Sequence, residues 1–191
     1  MLHSVFNYGS WYREVINILL VVILLLASSK SLKTVTFIIL SGIACLNFLL
    51  HWIYLESLTI EVQIISNSLS ILFFIVLVYL VLKDLVKEKV VNANVLCEAI
   101  SIYLILGILW AFIFKLISVV DPVSLSITKS DDLIEYLYFS FSSLTTLGFG
   151  DILPVSPLTR TLAYFEAIVG QVYLTILIAR LVAINLSNIG K

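Results

Sequence analysis

Long apolar runs decide the solvent in which this chain can fold. A helix needs about 20 mostly apolar residues to cross the hydrocarbon core of a bilayer. The stretches Thr34 to Leu55, Asn67 to Leu82, Val95 to Val120 and Leu158 to Val182 meet that need with some help from flanking residues. A fifth run, Val15 to Ser29, is shorter and borrows Trp11 and Tyr12 as interfacial anchors. Backbone polar groups in lipid must be satisfied within their own segment, so such runs read as helices. Of the 191 residues, 61% are hydrophobic and 12% charged, against roughly 25% charged in a soluble domain. The expected fold class is therefore an all-α membrane protein with about five transmembrane helices. Three prolines, seven glycines and no Ser/Gly linker imply one compact unit with short loops and no appended soluble domain.

The charges set orientation rather than chemistry. A net charge of −1 without a basic block excludes nucleic acid as a partner and leaves lipid as the surroundings. Lys30 and Lys33 mark the first loop and Lys83, Lys87 and Lys89 the third, whereas the second carries Glu56 and Glu61. The lysine-bearing loops face the cytoplasm, which puts the N-terminus outside and the C-terminus inside a cell membrane crossed several times. Reading residues 1–29 as a cleaved signal peptide would invert this order, and the region carries only Arg13 as a positive charge. Cys45 and Cys97 read as buried thiols, and His3 and His51 as isolated packing residues. No nucleophile, base and orienting group occur together and no metal-ligand cluster is present, so neither an enzyme nor a cofactor is expected, and no soluble substrate.

One segment breaks the apolar pattern. Between the last two runs lies DDLIEYLYFSFSSLTTLGFGDILPVSPLTR. Asp132 with Glu135 forms a capping-box pattern that starts a short helix over 132–145, bulky with Tyr136, Tyr138, Phe139 and Phe141. That helix must stop at Gly148. Non-helical backbone survives at membrane depth only where protein buries it or water lines it. Gly148 and Gly150 permit positive φ at alternate positions, so the carbonyls of Thr146, Leu147, Gly148 and Phe149 can turn the same way, with the Leu147 and Phe149 side chains packing backwards. A row of carbonyls on one side is a substitute for the water around a monovalent cation. Ser156 and Pro157 then supply an N-cap and a first-turn proline for a helix over 157–187.

With Thr146, Leu147, Gly148, Phe149, Gly150 and Asp151 in this order, the sequence resembles the potassium channel pore family, as a single-pore-loop subunit of bacterial type with three extra N-terminal helices. The family's filter reads T-V-G-Y-G-D or close variants. Leu147 and Phe149 depart from the commonest residues, and Tyr138 and Phe139 stand where many relatives carry two tryptophans. The resemblance covers about residues 95 to 187 and implies an outer helix over 95–120, a pore helix over 132–145, a filter over 146–151 and an inner helix over 157–187. Residues 1–82 then form a three-helix membrane region and 83–94 a cytoplasmic connector, either solvated or amphipathic. The resemblance further implies a homotetramer, since each chain brings one filter, with potassium ions as the permeant ligand at Thr146, Leu147, Gly148 and Phe149, a filter completed by Gly150, and Asp151 at the outer mouth.

Below the filter, the same register makes Gln171, Leu174 and Ile178 line a cavity, with Val182 nearer a cytoplasmic gate. Gly170 is either a gating hinge or a small residue for close packing. Glu166 is an acid inside a membrane helix, a placement costing a few kcal/mol and marking a functional candidate. It is expected to point behind the filter, protonated or hydrogen-bonded to pore-helix hydroxyls such as Ser142 or Ser143, or paired with Lys115, the alternative being an interfacial acid reaching toward Arg160.

A potassium-selective channel is the main functional expectation. A weakly selective cation channel and a non-conducting membrane scaffold are the alternatives. No N-terminal span carries arginine at every third position, so steep voltage sensing is not expected. With little sequence after Arg180, a cytoplasmic ligand-binding domain is not expected either.

Overall fold

The computed structural model describes residues 60–87, 93–127 and 133–189, with side chains described through residue 183 in the last helix and from residue 95 in the second. The first two apolar runs, Lys30, Lys33, Glu56, Lys89, Asp132, both histidines and Cys45 lie outside the described residues. Among the described residues there are four helices: α1 (Ile60–Lys87), α2 (Ala93–Val120), α3 (Leu133–Leu144) and α4 (Pro157–Ile189). Three of them, α1, α2 and α4, are long and apolar enough to cross a membrane. The fold is that of an all-α membrane protein, and α2, α3 and α4 fall within a few residues of the expected outer, pore and inner helices.

Side-chain spacing fixes how α1 and α2 pair. Phe73, Phe74, Leu77, Val81 and Leu85 recur at three- and four-residue intervals, which on a 3.6-residue helix is one stripe. They pack on Ala99, Ile102, Ile105 and Leu109 of α2, with Phe74 stacked on Phe112 at 5.5 Å between centroids. Lipid tails are as apolar as leucine, so close van der Waals fit holds this pair. Polar residues are satisfied within their helix: Ser70 Oγ donates to the Ser66 carbonyl at 2.9 Å and Ser101 Oγ to Cys97 at 2.7 Å.

The other face of α2 holds the short helix. Trp110, Phe114 and Leu125 meet Tyr136, Phe139 and Leu144 of α3, with Phe114 edge-on to Phe139 at 4.9 Å. A Cβ at Gly107 would lie 2.5 Å from the Phe141 ring, so the glycine admits α3 to this depth.

Two turns lock one end of the helices together. After α2, the segment 121–127 doubles back so that Leu125 bridges Pro154 antiparallel. Ser126 N donates to the Leu153 carbonyl at 3.0 Å, and Leu153 N to Ser126 Oγ at 2.7 Å. The Ser124 carbonyl receives Val155 N at 2.8 Å, Ser156 N at 3.3 Å and the Thr159 hydroxyl at 2.8 Å. Ser156 caps α4 as expected, accepting from Thr159 N at 3.2 Å, with Pro157 in the first turn.

At the opposite end, Arg180 Nη2 of α4 donates to the Val86 carbonyl at 2.8 Å. That carbonyl belongs to the last turn of α1, where the helix leaves its acceptors unpaired. Midway, Tyr173 donates to the Ala99 carbonyl at 2.7 Å and its ring stacks on Tyr103. The remaining face of α4 is open: Tyr164, Phe165, Ile168, Val172, Ile176 and Val182 are all exposed within one subunit.

Candidate functional site

The helix α3 ends at Leu144, and beyond it the sign of φ dictates the path of the chain. Thr146 has φ 60°, Gly148 57° and Gly150 81°. Every second residue is thus left-handed. For glycine this is free, but a β-branched residue at positive φ is a costly outlier of the kind that collects at functional sites. The sequence pointed to the two glycines; Thr146 gave no signal of its own, because threonine is no marker of positive φ.

The amide groups show where the carbonyls go. Thr146 N donates to the Ser143 carbonyl at 2.9 Å, Gly148 N to the Ser142 carbonyl at 3.2 Å, and Phe149 N to Ser142 Oγ at 3.3 Å. These amides all turn back onto the C-terminal end of α3. In a trans peptide the N–H and the preceding C=O point in opposite directions, and no peptide here is cis. The carbonyls of Thr145, Leu147 and Gly148 therefore face away from α3. Among the described residues no donor reaches the carbonyl oxygens of Thr146, Leu147, Gly148 or Phe149. All four of these residues are exposed within one subunit.

Side chains brace the segment from behind. Phe149 stacks on Tyr138 at 5.7 Å and 9° between planes, the backward packing its position suggested. Leu147 differs: it is 65% exposed, with no such seat inside the subunit. Tyr138 donates its hydroxyl to Asp151 Oδ2 at 2.7 Å. This bond holds the Asp151 carboxyl below the usual carboxylate range and pushes the Tyr138 phenol up. Ser142, a candidate partner of Glu166, instead serves the amide of Phe149.

Below the segment, Gln171 Nε2 lies 3.3 Å from Thr146 Oγ1, whose own proton goes to the Thr145 carbonyl at 2.6 Å. Ile178 and Val182 are exposed on the same helix and Leu174 is half-buried. Gly170 is buried, and a Cβ there would land on the Leu144 carbonyl oxygen and 3.0 Å from Leu144 Cδ1. Tyr103 donates to that same carbonyl at 3.3 Å. Of the two readings of Gly170, the packing one has a visible cause: α3 rests its last carbonyl there.

Glu166 is completely buried, and its partner is a hydroxyl of the short helix as expected, though on a different serine. Oε1 lies 2.6 Å from the Ser140 hydroxyl, not from Ser142, Ser143 or Lys115. Arg160 turns outward, giving Nε to the Pro154 carbonyl at 3.1 Å. On a helix, positions 140 and 142 differ by about 200° of rotation, and composition alone does not say which faces α4.

A helical membrane protein with a short helix, an exposed run of unpaired carbonyls and a restarted long helix has the architecture of an ion channel pore domain. The family model described as "ion channel" matches residues 99–186, a little under half of the chain. That segment, which holds most of α2, all of α3 and most of α4, is thus similar to an ion channel domain. No curated protein and no solved structure matches it.

Proposed function

We propose that this protein conducts potassium selectively and passively through a filter completed by four copies of the chain. The observation carrying the reading is that the carbonyls of Thr146, Leu147, Gly148 and Phe149 meet no donor among the described residues of the subunit, in a segment whose left-handed residues at 146, 148 and 150 let them turn the same way. Unpaired carbonyls are costly in a membrane unless something replaces the missing donors. A dehydrated monovalent cation does so, and rings of such carbonyls discriminate among cations. One subunit supplies one row, so a closed ring needs copies around an axis. The open apolar face of α4 is available to neighbouring copies.

In this arrangement Thr146 to Gly150 hold the ions, Asp151 gathers cations at the outer mouth, and Gln171, Leu174, Ile178 and Val182 line the inner cavity. Gly170 supports the filter from below. Residues 95–187 form the pore domain, 83–94 the connector and 1–82 a membrane region around it, with the N-terminus outside and the C-terminus in the cytoplasm. Lipid and its own copies are the partners.

The test is flux from liposomes holding the purified protein, with potassium, sodium and caesium gradients. Potassium flux well above sodium flux is expected. Gly148→Ala is the control: a Cβ there meets nothing within 4 Å, so the change acts only through the left-handed backbone. Equal sodium and potassium flux would overturn selectivity, and no flux of any cation would overturn conduction.

A further inference from the structure

Three oxygen atoms behind the filter segment do not have enough hydrogens unless one more is added. Ser140 Oγ lies 2.7 Å from the Gly107 carbonyl oxygen and 2.6 Å from Glu166 Oε1. Both distances are those of short hydrogen bonds, and each needs a proton between its oxygens. A serine hydroxyl has one hydrogen and a carbonyl oxygen has none. If Ser140 donates to Gly107, the proton in the second contact comes from the carboxyl. If Ser140 donates to Glu166, its oxygen faces the Gly107 oxygen at 2.7 Å, lone pair against lone pair.

The other carboxyl oxygen points the same way. Glu166 Oε2 is buried without a hydrogen-bond partner, while Ser140 and Glu166 are both fully inaccessible to solvent. An unpaired oxygen is tolerable as the C=O of a neutral acid and far more costly as half of a delocalised charge. No salt bridge reaches this carboxyl among the described residues: Oε1 meets the Ser140 hydroxyl, Oε2 meets no donor, and Arg160 of α4 turns to the Pro154 carbonyl. On α2 the titratable groups are Lys115 and Tyr103, and the Tyr103 hydroxyl is given to the Leu144 carbonyl rather than to the acid. The titratable groups on the other packed faces are Glu135, Tyr136 and Tyr138 of α3 and Tyr173 of α4, and none of them hydrogen-bonds to the carboxyl: Tyr138 donates to Asp151 and Tyr173 to the Ala99 carbonyl.

We propose that Glu166 is a proton-binding site: a neutral carboxylic acid whose Oε1–H donates to Ser140, which in turn donates to Gly107. One bound proton thereby joins α4, α3 and α2 in a single relay beneath the pore helix. Removing it leaves a charge with no counter-ion at the place where α3 is anchored, and the anchoring of the filter segment weakens. The site rests on the conduction reading only for its effect on flux.

Two measurements test it. The first is infrared spectroscopy of the wild-type protein in liposomes, titrated from neutral to alkaline pH. The carbonyl stretch of a protonated carboxylic acid is expected at neutral pH, where exposed carboxyls are ionised, and should fade as pH rises. It should be absent at every pH in Glu166→Gln. This signal needs no conduction, so its outcome is separate from that of the channel reading. Should Glu166→Gln not fold, the wild-type band alone decides, and a folded wild-type protein without it overturns the proposal. The second is the pH profile of potassium flux. Wild type should lose flux on the alkaline side, whereas Glu166→Gln, which keeps a donor toward Ser140 and cannot ionise, should show no alkaline decline. A variant declining as wild type does overturns the proposal.

Discussion

Replacing Gly170 by alanine separates two roles that this residue type plays in membrane helices. The added Cβ would collide with the carbonyl oxygen of Leu144 and press on its Cδ1 at 3.0 Å. The oxygen is backbone, at the end of α3, and is already bonded by Tyr103. It cannot swing aside as a side chain could, so α3 or α4 must shift. Forcing one methyl into a filled site costs about 1–3 kcal/mol. Against this, alanine is favoured over glycine in a helix by roughly 0.5–1 kcal/mol. The net expectation is a loss of about 1–2 kcal/mol, roughly tenfold in the folded-to-unfolded ratio. Gly107→Ala is the internal comparison, since its Cβ meets the outer edge of the Phe141 ring at 2.5 Å, and a ring edge yields more readily. Unfolding in mixed micelles should rank wild type above Gly107→Ala and Gly107→Ala above Gly170→Ala. If Gly170→Ala were as stable as wild type or more so, with only the opening of the pore altered, the packing argument would be wrong and a bending role correct.

Other outcomes rest on individual contacts. Tyr138→Phe removes the bond that keeps the Asp151 carboxyl below its ordinary range. Because a depressed carboxyl stays ionised further into acid, flux in wild type should persist to lower pH than in Tyr138→Phe, and coincident acid limbs would refute the link. Thr159→Val takes one donor from the Ser124 carbonyl and leaves a buried site short of a hydrogen bond. A loss of about 1–3 kcal/mol in micelle unfolding is expected, and none would show the bond to be dispensable. Arg180→Ala frees the Val86 carbonyl at the end of α1, and hydrogen exchange should quicken in the last turn of that helix while α2 stays protected.

Some of this was legible in the residues because it depends on local rules. Apolar length marked α1, α2 and α4, and the Ser156–Pro157 pair marked where α4 begins, since capping needs only neighbouring atoms. Gly148 and Gly150 were readable because few other residues take their φ. What escaped depends on the angle at which helices meet. Ser140 rather than Ser142 faces Glu166 because of how α3 is rotated between α2 and α4. The seat at Gly170 depends on how deep α3 ends. The left-handed Thr146 escaped for another reason: its conformation is imposed by the amides on either side, against the preference of its own side chain.

The stretch from Asp121 to Ile127 follows α2 as a short irregular segment, yet three donors converge on the Ser124 oxygen and a β-bridge comes one residue later. It is the base to which the segment after Asp151 and the first turn of α4 are tied. Lengthening or shortening it by a single residue would therefore be felt at Asp151 and the first turn of α4 sooner than in the helix it extends.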